Sequence, residues 1–189
     1  LEEAQIRGMS TGLITNVQMA HATPAAFAAH VENRDMMTEI AEQILASGVD
    51  VLLGGGEDDF IPLSENGCYA QNGHRTDGRN LLNEAIDLGY TYVCDESTFN
   101  NVDPSVTQRL IGLFADEGMP RPYSPTLEEM TRKAIAILSK NPDGFFLMIE
   151  GGQIDWASHS NDAENVISDV IDLDEALAVA MAYAADQSN

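Results

Sequence analysis

The chain has 189 residues, 44% of them hydrophobic, enough for one domain with a real core and unlike a fibrous or disordered chain. Its 31 acidic residues against 9 Lys and Arg give a formal charge of −22, which argues against a nucleic-acid partner and against an anionic membrane surface. No apolar run reaches the roughly 18 residues that a membrane-spanning helix needs. Acidity alone names no function, because salt adaptation, export and cation binding all produce it.

The opening residues Leu1 to Arg7 have neither an initiator Met nor the layout of a signal peptide, so the chain is expected to begin inside a longer gene product. A first strand is predicted over Thr11 to Val17. A polar loop and a helix over Pro24 to Val31 follow, with Thr23 as a plausible N-cap and Pro24 at the first helical position, where no N–H is needed. A helix over Met36 to Ala46 then leads to a strand over Val49 to Leu53. The Gly54-Gly55-Gly56 run after it lacks the Lys-Ser/Thr of a phosphate loop and the spacing of a dinucleotide fingerprint, and is expected to be a turn. The stretch from Glu57 to Arg79, rich in Gly, Asn and Asp, reads as a long surface loop within one domain.

Further on, a helix is predicted over Asn80 to Leu88 and strands over Tyr90 to Cys94 and Leu110 to Phe114. Thr126 and Glu129 are spaced as a capping box at the head of a helix to Ser139, a strand covers Phe145 to Ile149, and a last helix covers Ile167 to Ala184. Cys68 and Cys94 can pair in an oxidising compartment or serve as small apolar residues. The alternation predicts an α/β fold with a mostly parallel central sheet flanked by helices, so chemistry is to be sought at the carboxyl ends of strands, after Val17, Leu53 and Ile149.

Two segments there are rich in usable chemistry. In Phe145-Phe146-Leu147-Met148-Ile149-Glu150-Gly151-Gly152-Gln153-Ile154-Asp155-Trp156-Ala157-Ser158-His159, a strand delivers a carboxylate, two glycines let the chain turn, and Asp155 and His159 fall four apart on one helical face. A carboxylate with an imidazole suits Zn²⁺, while Glu150 with oxygen partners suits Mg²⁺; on spacing alone an exposed Asp and His pair remains the commoner reading. In the second segment, His21-Ala22-Thr23-Pro24 precedes a helix and Arg34. A planar guanidinium can donate two parallel hydrogen bonds to phosphate, although an arginine at a helix end also interacts with terminal carbonyls.

Both segments resemble the alkaline phosphatase family, and the resemblance runs from about Gly8 to Ala184. Glu-Gly-Gly-x-Ile-Asp-x-x-x-His after a hydrophobic strand is similar to the family's metal motif, and His-Ala-Thr-Pro followed by Arg34 keeps the family's register. The resemblance implies that Glu150 and Thr23 bind magnesium, that His21 lines the same site, and that Asp155 and His159 bind one of two zinc ions. Arg34 would grip two phosphate oxygens. Trp156 stands where some members have Lys and others His, and the chain looks most like the branch with Trp here and His at position 21. Loss of a cation beside the phosphate implies weaker phosphate retention, while packing at an interface is the other reading of Trp156. The Leu-Gly-Gly-Gly stretch has a structural counterpart in the family.

By the same resemblance, the complete enzyme would hydrolyse phosphate monoesters through a phosphoserine, with two zinc ions about 4 Å apart at the reacting oxygens. The parent would be a homodimer, periplasmic or secreted, with phosphate monoesters and inorganic phosphate as its small-molecule partners. Neither an Asp-Ser-Ala nucleophile nor an Asp-His pair occurs in these residues, so the chain is expected to be the middle portion of one domain and inactive alone. Another hydrolase of the wider superfamily, or a non-enzymatic acidic cation-binding module, are the alternatives.

Overall fold

The protein is described here from a computed structural model, in which residues 1–187 are described. Five strands form one sheet in the order β3-β4-β2-β1-β5, and every neighbouring pair is parallel. They are β1 (Ser10–Gln18), β2 (Val51–Gly55), β3 (Tyr90–Val93), β4 (Arg109–Leu113) and β5 (Phe145–Glu150). Each had a counterpart in the sequence, displaced by a residue or two. The reason is that the interior strands β1, β2 and β4 are buried on both faces along nearly their whole length, so alternation cannot mark their ends.

The sheet separates two cores, as period-two side chains dictate. Leu13, Leu52 and Ile111 pack on one face with Ile40 and Ile44 of helix α3 (Met37–Ala46) and with Leu81 and Ala85 of α4 (Leu81–Asp87). Ile14, Val51, Leu53 and Leu110 pack on the other with Met130, Ala134 and Leu138 of α6 (Leu127–Leu138). Thr126 accepts from the Glu129 N–H while Glu129 accepts from the Thr126 N–H, so the capping box forms as its spacing predicts. Gly12 lets α6 approach β1: a Cβ there would lie 2.9 Å from Leu138 Cδ1 and 2.8 Å from Leu147 Cδ1.

Several boundaries differ from the sequence reading. The glycine run is not simply a turn. Gly54 and Gly55 are the last residues of β2, where a Cβ on Gly55 would sit 2.0 Å from the Glu117 carbonyl oxygen, and only Gly56, at φ 87°, turns the chain into a 3-10 segment, Glu57–Phe60. Helix α2 (Ala22–Ala28) is capped by His21 rather than Thr23, which lies in its first turn; the chain becomes extended at Ala29, short of Val31. Short α1 (Glu2–Ile6) and α5 (Glu96–Asn100) lack a long apolar stripe to announce them, although Asp95 and Thr98 form a full capping box on α5.

The last helix starts earlier than its apolar run. Asp162 caps α8 (Ala163–Asp186) by accepting from the Asn165 N–H, after the short α7 (Gln153–His159). Asp169, a fully buried residue of α8, accepts from Arg121 Nε at 2.9 Å and from the Tyr123 hydroxyl at 2.5 Å, which ties that helix to the chain after β4. No helix of the described residues is long and apolar enough to cross a membrane. Cys68 and Cys94 form a disulfide, deciding between the two readings of those residues.

Candidate metal and phosphate site

β5, at one edge of the sheet, runs beside the interior strand β1, so their carboxyl ends bring together residues far apart in sequence. Thr15 and Glu150 are register partners, and the Thr15 hydroxyl donates to Glu150 Oε2 at 2.7 Å while accepting from the Val17 N–H at 3.2 Å. That contact spans 135 residues and orients the carboxylate at the strand end. Gly152 is required just beyond it, because a Cβ there would lie 2.7 Å from Val17 Cγ2 and 3.3 Å from Glu150 Cδ.

The turn out of β5 is laced to β1. The Gln153 N–H donates to Asn16 Oδ1 at 3.0 Å, and Gln153 Nε2 donates to the carbonyls of Asn16 at 3.3 Å and Met119 at 3.0 Å. Neither Asn16 nor Gln153 stood out in the sequence; both are buried polar residues whose bonds cross between segments, which no local pattern reveals. Their effect is to fix the start of α7 and so to aim its side chains.

On α7, Asp155 and His159 do share a face: His159 Nε2 lies 3.5 Å from Asp155 Oδ1, and both side chains are exposed. Trp156, one residue on from Asp155, packs on Gly118, where a Cβ would meet the indole Cζ3 at 2.5 Å. Its ring meets that of His21 edge to face, with centroids 5.7 Å apart and an interplanar angle of 78°. Arg34 Nη2 lies 3.1 Å from His21 Nε2.

Two cationic side chains at hydrogen-bond distance need one of them neutral. Burial first, and the Arg34 charge second, lower the His21 pKa, against the opposing pull of Glu150 and Asp155. Neutral His21 then accepts from Arg34 through Nε2. His21, Arg34, Glu150, Asp155, Trp156 and His159 therefore gather around the ends of β1 and β5, with half-buried Thr23 in the first turn of the α2 helix that His21 caps. Carboxylates, imidazoles and a hydroxyl can hold divalent cations, and an exposed guanidinium beside them can grip an oxyanion.

Among the described residues, one group of three Asp, Glu, His or Cys side chains brings ligand atoms within 4.8 Å of one another, and it lies away from these strand ends, at Asp58, Asp59 and His74. The stretch read as a surface loop holds all three. It is exposed over Leu63 to Cys68 but buried over Glu57 to Pro62, and acidic residues in a Gly-rich run carry no sequence signal of burial.

A parallel sheet that gathers carboxylates, imidazoles and an arginine at the carboxyl ends of its strands places them where folds of this kind bind ligands. The chain belongs to the alkaline phosphatase family, whose model matches residues 1–189. It is similar to Alkaline phosphatase 4 of Bacillus subtilis (strain 168), at 40% identity over 97% of this chain and 39% of that protein. It also resembles the alkaline phosphatase of Escherichia coli (strain K12), at 32% identity over 100% of this chain and 49% of that one. Among solved structures, a mutant of the TAB5 alkaline phosphatase with Mg bound in its M3 site superposes with a TM-score of 0.83 at 32% identity, over 100% of this chain and 51% of that one. The chain thus spans less than half the length of these two curated relatives.

Proposed function

We propose that these residues are the metal- and phosphate-binding middle portion of an enzyme that hydrolyses phosphate monoesters, with its serine nucleophile in a part of the parent protein outside them. The observation that carries the reading is the meeting of two segments over a hundred residues apart, His21 with Arg34 on one side and Trp156 on the other, at the strand end that bears Glu150. The family supports the reaction class, and the magnesium named for the TAB5 mutant supports a cation among such ligands.

In this reading Glu150 and Thr23 hold Mg²⁺ with His21 beside it, and Asp155 and His159 hold one Zn²⁺. The donor chemistry fits: hard oxygens are available from Glu150 and Thr23, and an oxygen and a nitrogen 3.5 Å apart from Asp155 and His159. The chemistry such cations supply is stabilisation of charge on the attacking and leaving oxygens. Arg34 orients the phosphoryl group by paired hydrogen bonds, for which it must leave His21 Nε2. Trp156 forms an apolar wall in place of a cation. The parent is read as a homodimer working in the periplasm or outside the cell, and the Cys68–Cys94 disulfide agrees with such an oxidising compartment.

The test is Asp155→Ala in the full-length parent, which should lose tight zinc uptake and phosphomonoesterase activity together. Normal zinc content in that variant would remove Asp155 from the ligand set.

A further inference from the structure

We propose that Asp58, Asp59 and His74 form a second metal site, for a borderline divalent ion of the Zn²⁺ kind, which fastens the segment around His74 to the end of β2. It shares no residue with the centre proposed above and does not depend on that reading.

The 3-10 segment after Gly56 puts Asp58 and Asp59 inside the protein, 1% and 2% exposed. His74 returns over them, and its backbone N–H donates to the Asp58 carbonyl at 2.7 Å. Its ring lies between the carboxylates, with Nδ1 3.2 Å from Asp59 Oδ1 and Nε2 3.3 Å from Asp58 Oδ2. One ligand atom from each residue falls within 4.8 Å of the other two.

Asp58 sets this cluster apart from a solvated group of acids. Both of its carboxylate oxygens are buried without a hydrogen-bond partner, a costly condition for a group that water or a donor normally satisfies. Glu57 next to it shows the contrast: it accepts from the Cys68 N–H at 3.0 Å and from the Tyr92 hydroxyl, and is satisfied without a cation. Nearby charge is one-sided. Asp59, Asp116 and Glu117 all weigh on Asp58, a buried oxygen of Asp116 likewise has no partner, and His74 is the cation opposing them. Arg75, close in sequence, is already engaged by the Thr38 carbonyl and Asp77.

A protonated His74 could neutralise one of these charges. The ring geometry also suits an ion: Nδ1–H donating to Asp59 leaves the Nε2 lone pair free, 3.3 Å from Asp58 Oδ2, the carboxylate–histidine–metal arrangement in which a second carboxylate sets the tautomer. Asp58 and Nε2 would then be ligands, with Asp59 orienting the ring and within reach as a third. One nitrogen with oxygens favours a borderline ion over Mg²⁺, and the half-exposed ring leaves room for water to complete the shell and for the ion to enter.

The experiment is equilibrium dialysis against Zn²⁺ at pH 8, using the chelator-stripped 189-residue chain bearing His21→Gln, Asp155→Asn and His159→Gln, so that the other centre cannot contribute. This background should still bind zinc. Adding His74→Gln should weaken that binding by about 10-fold or more, and Asp59→Asn by about 10–100-fold, as expected for a ligand and for its orienting partner. Failure of the background to bind zinc, or equal binding after His74→Gln, overturns the proposal. Should the His74 variant not fold by circular dichroism, hydrogen exchange of the background decides: zinc must slow exchange at Glu57–Phe60 and around His74, and unchanged exchange there also overturns it.

Discussion

Arg34 illustrates how much of this site is settled by single side chains. It is exposed, with Nη2 on the lone pair of His21, so its present partner is one that a bound cation and a bound phosphate would both compete away. Arg34→Ala should therefore raise the His21 pKa, a shift readable by NMR titration of its ring, because the second cause of its lowering is removed while burial remains. The wild-type sign is fixed too. A lowered folded pKa makes the unfolded chain the better proton binder, so His21 takes stability away as pH falls from about 6.5 toward its folded value. In the full-length parent the same variant should raise KM and weaken inhibition by phosphate by roughly 1.5–3 kcal/mol, and an unchanged inhibition constant would count against the phosphate role. Gly118 makes a second residue-scale case. A valine there has no room beside Trp156, the sole tryptophan, so Gly118→Val should shift the emission of the indole, and an identical spectrum would show that the ring is not held there.

At the scale of elements, α6 owes its start to a reciprocal cap, and Thr126→Ala should cost about 1 kcal/mol in denaturant unfolding with little change in slope. A midpoint equal to that of the parent chain would mean that packing of Met130, Ala134 and Leu138 alone sets the helix. That cap was legible because Thr-x-x-Glu is a local code, and so were the five strands, because each carries a short apolar stretch bounded by turn residues. The segments around Glu150 and His21 could be read for the same reason, each being contiguous. What stayed hidden depends on distant parts of the chain. Gly55 reads as a turn although the Glu117 carbonyl lies 2.0 Å from where its side chain would be, and Asp58 and His74 read as solvated residues although the fold brings them together across fifteen intervening residues. The start of α8 at Ala163 lies ahead of the helix's apolar run because its first turn is polar and is set by the Asp162 cap.

For the whole molecule, one side of the sheet ends at β5, whose side chains are mostly only half-buried and whose described strand partner is β1 alone. Beside it α8 presents Ile167, Ile171, Leu177 and Met181, each more than half exposed. An open strand edge next to an apolar helix face favours association, so the isolated 189-residue chain should show concentration-dependent sedimentation and negligible phosphomonoester turnover with Zn²⁺ and Mg²⁺ added. Turnover comparable to the full-length parent would refute the need for a nucleophile elsewhere. The strand order has a further consequence in time. β1 is made first and pairs with β2 within some forty residues, yet its other edge must wait for Phe145 to leave the ribosome. Until then the growing chain displays Arg34 and His21 with no Glu150 or Trp156 opposite them, and the Thr15 hydroxyl without the carboxylate it orients. Translation thus delivers the two halves of the cluster at opposite ends of the synthesis of these residues, and a chain stalled before β5 has the early half without the late one.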